Sequence, residues 1–136
     1  MKKFVLDYIN KIEGWKISTK EYHWLANNYN IHEQFDYLSS LLISYQDNIS
    51  EIEQSISGDF PTNGLKGINS NVGNIKDFIG LIISETIIFL KKVRDNGDDY
   101  IGMCSIIESF IADVQRFKYR INIALKDGLT NSLRDK

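Results

Sequence analysis

Residues 21–51 read Glu21-Tyr-His-Trp-Leu-Ala-Asn-Asn-Tyr-Asn-Ile-His-Glu-Gln-Phe-Asp36, then a helical run that closes in Asp47-Asn-Ile-Ser-Glu51. The stretch holds both histidines of the chain, His23 and His32, and three carboxylates at helical spacing, Asp36, Asp47 and Glu51. Its second half decides the fold class. Ile31, Phe35, Leu38, Leu42, Tyr45, Ile49, Ile52 and Ile56 recur at three- and four-residue steps, the period of an amphipathic helix. The spacing predicts a helix over 31–57 with Gly58 as its C-cap. The polar run Asn27-Asn28-Tyr29-Asn30 just before it reads as a turn.

Working outward, Phe4, Val5, Tyr8, Ile12, Trp15, Thr19, Tyr22 and Ala26 predict a first helix over 2–26. Gly14 falls inside it, at a cost of roughly 1 kcal/mol against alanine. Residues 58–73 carry Pro61 and glycines 58, 64, 67 and 73, which predicts a loop. At about 15 residues it is long for a helical connection, so it either crosses the end of a bundle or carries a short helix near Leu65 to Ile68. A third helix is expected over 74–95 on Ile75, Phe78, Ile79, Ile82, Ile83, Ile87, Leu90 and Val93. After Asn96-Gly97, Asp98 or Asp99 can cap a fourth. That helix uses Ile101, Cys104, Ile107, Phe110, Ile111, Val114, Phe117 and Ile121 and runs to about Leu125, with a polar, frayed tail from Lys126. The expectation is an all-α four-helix bundle with a long crossover between helices two and three, filling a single domain over 1–136.

Composition excludes several classes. A hydrophobic content of 43% and a charged content of 25% are those of a globular domain. No apolar run of about 18 residues marks a membrane span, and Asp7, Asn10 and Lys11 interrupt the only signal-like start. The lone Cys104 excludes a disulfide framework and points to a reducing compartment, hence the cytoplasm. A net charge of -2 argues against a nucleic-acid partner.

The second helix carries the candidate chemistry. With His32 at zero and about 100° per residue, Asp36 falls near 40°, Asp47 near 60° and Glu51 near 100°, against a core stripe near 240°. The apolar Ile43 shares this non-core face, near 20°, beside the small Ser39, Ser40 and Ser44. That mixture points to a helix of a second molecule packing there. Along the axis, His32 and Asp47 stand about 22 Å apart, so one chain cannot bring them to one metal ion. Two copies of the helix packed antiparallel about a two-fold axis near residues 40–42 would set His32 of one chain against Asp47 and Glu51 of the other. His23, across the turn, can complete the histidine side. Imidazole and carboxylate together suit iron, manganese or zinc.

At these residues the sequence resembles the Dps branch of the ferritin-like superfamily. The pair His23-Trp24 near the end of helix one, His32 opening helix two, Asp36 four residues on, and Asp47 with Glu51 carry the resemblance. It implies a ferroxidase site shared between subunits, with His23 and His32 from one chain and Asp47 and Glu51 from the other. Asp36 would be a further ligand or would orient one, and Trp24 would pack beside the site and intercept oxidants. The family oxidises ferrous iron, usually with hydrogen peroxide, and stores ferric mineral in a hollow dodecamer; some members bind DNA. The His23-to-His32 spacing of nine is three shorter than is usual in Dps. In that spacing the chain looks like a small Dps-related family found in bacteriophage genomes, which would place it in host cytoplasm or virion. The short chain lacks a lysine-rich N-terminal arm, which argues against DNA binding.

Plainer readings stand beside these. Asp47 and Glu51 also fit a solvated helix face. A tryptophan such as Trp24 is most often core, and Cys104 on an apolar stripe reads as a buried thiol. Glu85 and Glu108 lie on helices where other ferritin-like proteins keep ligands, but neither has a Glu-x-x-His partner, so both read as solvated or interhelical. Lys91-Lys92 and Arg116, Lys118 and Arg120 read as exposed helix charges. The alternative to an iron-oxidising protein is a non-enzymatic helical bundle with a structural or interaction role. A DNA-coating protein is the third and weakest reading.

Overall fold

The computed structural model describes residues 1–67 and 73–134, with side chains as far as Lys126. Four α-helices account for most of them: α1 (Lys3–Leu25), α2 (Tyr29–Ser57), α3 (Ile75–Arg94) and α4 (Ile101–Arg134), the last preceded by a single 3-10 turn over Asp98–Tyr100. No strand occurs among the described residues. No helix among them is long and apolar enough to cross a membrane.

Local chemistry sets the helix ends. Asn28 has extended backbone angles and its side chain accepts from the Asn30 N–H at 2.8 Å, so α2 begins two residues earlier than its apolar stripe. Gly58, at φ 105, closes α2 with its N–H on the Gln54 carbonyl. Asn74 caps α3: its Oδ1 accepts from the Asp77 N–H and its Nδ2 donates to the Asp77 carboxylate, both at 2.8 Å. Lys91, Lys92 and Arg94 in the last turn of α3 complement its C-terminal partial charge. The helix expected to end near Leu125 continues to Arg134. The short helix expected near Leu65 is absent over residues 65–67, and Ile68 lies outside the described residues.

The core is one aromatic-rich cluster of the expected stripes, with Trp15, Phe35, Phe78 and Phe117 at its centre. Two expectations shift. On α3, Thr86 and Phe89 are buried and Ile87 is 37% exposed, because the inward stripe steps from Ile82 to Thr86. On α4, Ile101 is 65% exposed while Tyr100 and Met103 are buried, because the 3-10 turn changes the angular step just ahead of the helix. Gly14 is buried inside an unbroken α1.

α1 packs chiefly on α2, and α4 packs on both α2 and α3; α1 and α3 touch sparsely. Hydrogen bonds gather four helix ends at one end of the bundle. The Met1 ammonium donates to the Ser57 carbonyl at 3.4 Å, and Lys2 Nζ to Asn96 at 2.7 Å. The fully buried Glu53 carboxylate accepts from the Lys2 N–H at 2.9 Å and from the Tyr100 hydroxyl at 2.7 Å. The start of α1, the ends of α2 and α3 and the start of α4 therefore lie together. After α2 the chain lies along α1. Asn10 accepts from the Lys66 N–H at 2.8 Å and donates to the Gly64 carbonyl at 3.1 Å. A Cβ on Gly67 would meet Ile17 Cδ1 at 2.7 Å, so residue 67 lies close against α1, where a larger residue would require the exposed Ile17 side chain to turn aside.

Candidate metal centre

The turn between α1 and α2 folds the two histidines onto each other. His23 sits in the last turn of α1 and His32 in the first turns of α2. Their rings stack with centroids 3.7 Å apart and planes 27° apart. His32 Nδ1 lies 3.0 Å from the His23 carbonyl oxygen. A carbonyl only accepts, so this Nδ1 carries a proton, and in the neutral ring Nε2 then keeps its lone pair, the tautomer a metal ligand needs. His23 Nε2 is buried with no hydrogen-bond partner among the described residues. The closest carboxylate oxygen to it is Asp36 Oδ1, 3.8 Å away. That is too long for a hydrogen bond, and it leaves a gap that a cation about 2.0–2.2 Å from each atom would fill. The carbonyl end of α1 adds negative partial charge beside it.

The other predicted residues lie apart. Asp47 and Glu51 are exposed on α2, on the same open face as Asp36, Ser40, Ile43 and Ser44. Ile43 is 47% exposed there. Asp47 stands about 22 Å along the axis from His32, as helix rise requires. Within the single chain, no group of three or more His, Cys, Asp or Glu among the described residues could hold a metal ion. The two imidazoles are brought together at one end of α2, with Asp36 near His23 alone; Asp47 and Glu51 are not brought to them. Trp24 is not core, being 71% exposed beside the histidine turn. Cys104 is half-buried against the core rather than enclosed by it. Glu85 pairs with Lys11 across α1 and α3, and Glu108 with Arg94 across α3 and α4, so of the solvated and interhelical readings both take the interhelical one. Lys118 is exposed, Arg116 pairs with Asp113, and Arg120 lies over the Tyr37 ring at 5.5 Å.

One cluster was not anticipated. The Tyr8 hydroxyl lies 2.7 Å from that of Tyr45 and 2.9 Å from Thr86 Oγ1, inside the bundle. Burial pushes the phenol of Tyr8 up, and that of Tyr45 well up, from the ordinary tyrosine value. The sequence signal was tyrosine, rather than phenylalanine, on two core stripes, since a buried phenol needs a hydrogen-bond partner.

Comparison with known protein families, curated proteins and solved structures returns no match to this chain.

Proposed function

We propose that the chain is a Dps-like ferritin that binds and oxidises ferrous iron, for iron storage or oxidative protection, at mononuclear or dinuclear sites completed by a second copy. The observation that carries this reading is the histidine pair. His23 has a buried, unpartnered Nε2 facing Asp36, and His32 is held in the tautomer that leaves Nε2 free. A buried polar atom without a partner costs free energy, which a bound cation would recover. His23, His32 and Asp36 would supply one side of the site, and Asp47 and Glu51 of a second copy the other. Their exposure, with Ile43 and the small serines between the two ends, supports an antiparallel α2 pair. Such dimers would build a cage of dodecameric type.

The helix ends support the ferritin-like crossover. Since α2 and α3 finish at the same end of the bundle, the connection after Gly58 has to travel back along it, and residues 60–67 lie against α1 as that requires. The Nε2 of His23, buried without a hydrogen bond, favours this reading over a purely structural bundle, which would need no open ligand there. The test is an anaerobic ferrous titration followed by hydrogen peroxide. Ferric iron should form faster than in buffer, and His23→Ala or His32→Ala should remove the difference. Equal rates in wild type and both variants would leave the structural reading; zinc or manganese retained without turnover would favour a metal-stabilised bundle.

A further inference from the structure

The chain contains two Asn-Gly pairs, Asn63-Gly64 after α2 and Asn96-Gly97 after α3. In such a pair the glycine nitrogen can attack the asparagine carboxamide, because no Cβ on the second residue obstructs the approach. The fold treats the two pairs differently. Asn96 is half-buried; its Nδ2 donates to the Lys92 carbonyl and its Oδ1 accepts from Lys2 Nζ, both at 2.7 Å. That carboxamide cannot turn towards the Gly97 nitrogen without breaking both bonds. Asn63 is exposed, and its carboxamide has no hydrogen bond among the described residues.

Turn geometry explains why this pair stands at 63–64. Asn63 has φ 58, a left-handed conformation that asparagine tolerates better than most residues. Gly64 closes the turn with its N–H on the Pro61 carbonyl at 2.9 Å, and a Cβ there would meet Pro61 Cγ at 2.6 Å and the Pro61 oxygen at 2.9 Å. That backbone hydrogen bond, in an exposed turn, is what has to open before the Gly64 nitrogen can react. The pair also sits where the chain is tied to α1. The Gly64 carbonyl accepts from Asn10 Nδ2 at 3.1 Å and the Lys66 N–H donates to Asn10 Oδ1 at 2.8 Å, with Asn10 buried. Phe60 and Leu65, on either side of the pair, wall a groove of about 220 Å3 that Asp47 and Ser50 of α2 also line.

We propose that Asn63 is a site of spontaneous conversion to isoaspartate, and that the conversion releases residues 64–66 from α1. The Gly64 nitrogen bonds to Asn63 Cγ and the Cγ–Nδ2 bond breaks. The proton of the Gly64 N–H leaves with the amide nitrogen as ammonia. Water then opens the cyclic imide. Attack at Cγ gives aspartate; attack at the main-chain carbonyl carbon gives isoaspartate, whose backbone runs through Cβ and Cγ. Both products carry a carboxylate where the amide was neutral. The extra backbone atom of isoaspartate lengthens the turn from Pro61 to Gly64, so the Gly64 carbonyl and the Lys66 N–H no longer both reach Asn10. Phe60 and Leu65 then uncover the groove beside Asp47. None of these steps requires a metal.

The experiment holds the full chain warm at mildly alkaline pH and follows it by peptide mass mapping, isoaspartyl methylation and amide hydrogen exchange. Asn63 should lose its amide nitrogen several-fold faster than Asn96, with isoaspartate the larger product. In urea, where neither side chain is held, the two rates should converge. As isoaspartate accumulates at 63, the Lys66 N–H should exchange faster in the converted fraction. Asn63→Gly keeps the positive φ and cannot cyclise at that position, so after the same treatment its Lys66 N–H should exchange as in fresh protein. Asn96 converting as fast as Asn63 in the folded chain, or a rate gap that persists in urea, overturns the choice of Asn63 on structural grounds. Unchanged Lys66 exchange in the isoaspartate form overturns the release from α1.

Discussion

Splitting the two sides of the site between two chains tests whether each metal centre is shared. One variant lacks the histidines (His23→Ala, His32→Ala) and the other lacks the carboxylates (Asp47→Ala, Glu51→Ala). The rise of α2 sets the expectation: Asp47 lies about 22 Å and Glu51 about 28 Å along the axis from His32, so no side-chain motion closes the gap within one chain. Each variant alone should be inactive, because every site lacks one side. When the two are unfolded together in equal amounts and refolded, random pairing makes about half of the dimers mixed. In a mixed dimer one site has both sides intact and the other has neither. Ferric iron formation, followed by its absorbance after peroxide addition, should therefore return to about a quarter of the wild-type amount per chain. A site built within one chain could not be restored by any mixture. Mixed dimers confirmed by mass, with no recovery, would refute the shared site and the antiparallel α2 interface together.

Two further outcomes follow from the buried polar groups. Glu53→Ala leaves the Lys2 N–H and the Tyr100 hydroxyl without their acceptor, and should cost about 1–3 kcal/mol for each, seen as a lower urea midpoint; an unchanged midpoint would mean the buried carboxylate contributes nothing. Burial pushes the phenols of Tyr8 and Tyr45 up, and Tyr100 is pushed up to about 12 by burial first and then by its hydrogen bond to Glu53. These groups are neutral in the fold, so their contribution is complete below the unfolded tyrosine value of about 10 and is lost as pH rises through the folded values. Phenolate absorbance from these tyrosines should rise only together with loss of helical circular dichroism; full titration near pH 10 with the helices intact would contradict their burial.

The residue pattern by itself determined the four helices, because three- and four-residue apolar steps leave little choice of period, and Gly58 and Asn96-Gly97 leave little choice of stops. It also determined that Asp36, Ile43, Asp47 and Glu51 share an open face of α2, since that follows from helix geometry alone. What only the tertiary structure decided is what long-range contacts decide. A buried threonine on α3 could not be read from its own helix, because its reason for being inside is a phenol on α1. Glu53 looks like any helix carboxylate until the start of α1 and the start of α4 close over it. The histidines could be listed from the sequence, but their stacking, the proton on His32 Nδ1 and the unpartnered Nε2 of His23 depend on how tightly the turn brings α1 back onto α2. Local pattern fixes which face a side chain is on; the partner it meets there is set by the packing of distant segments.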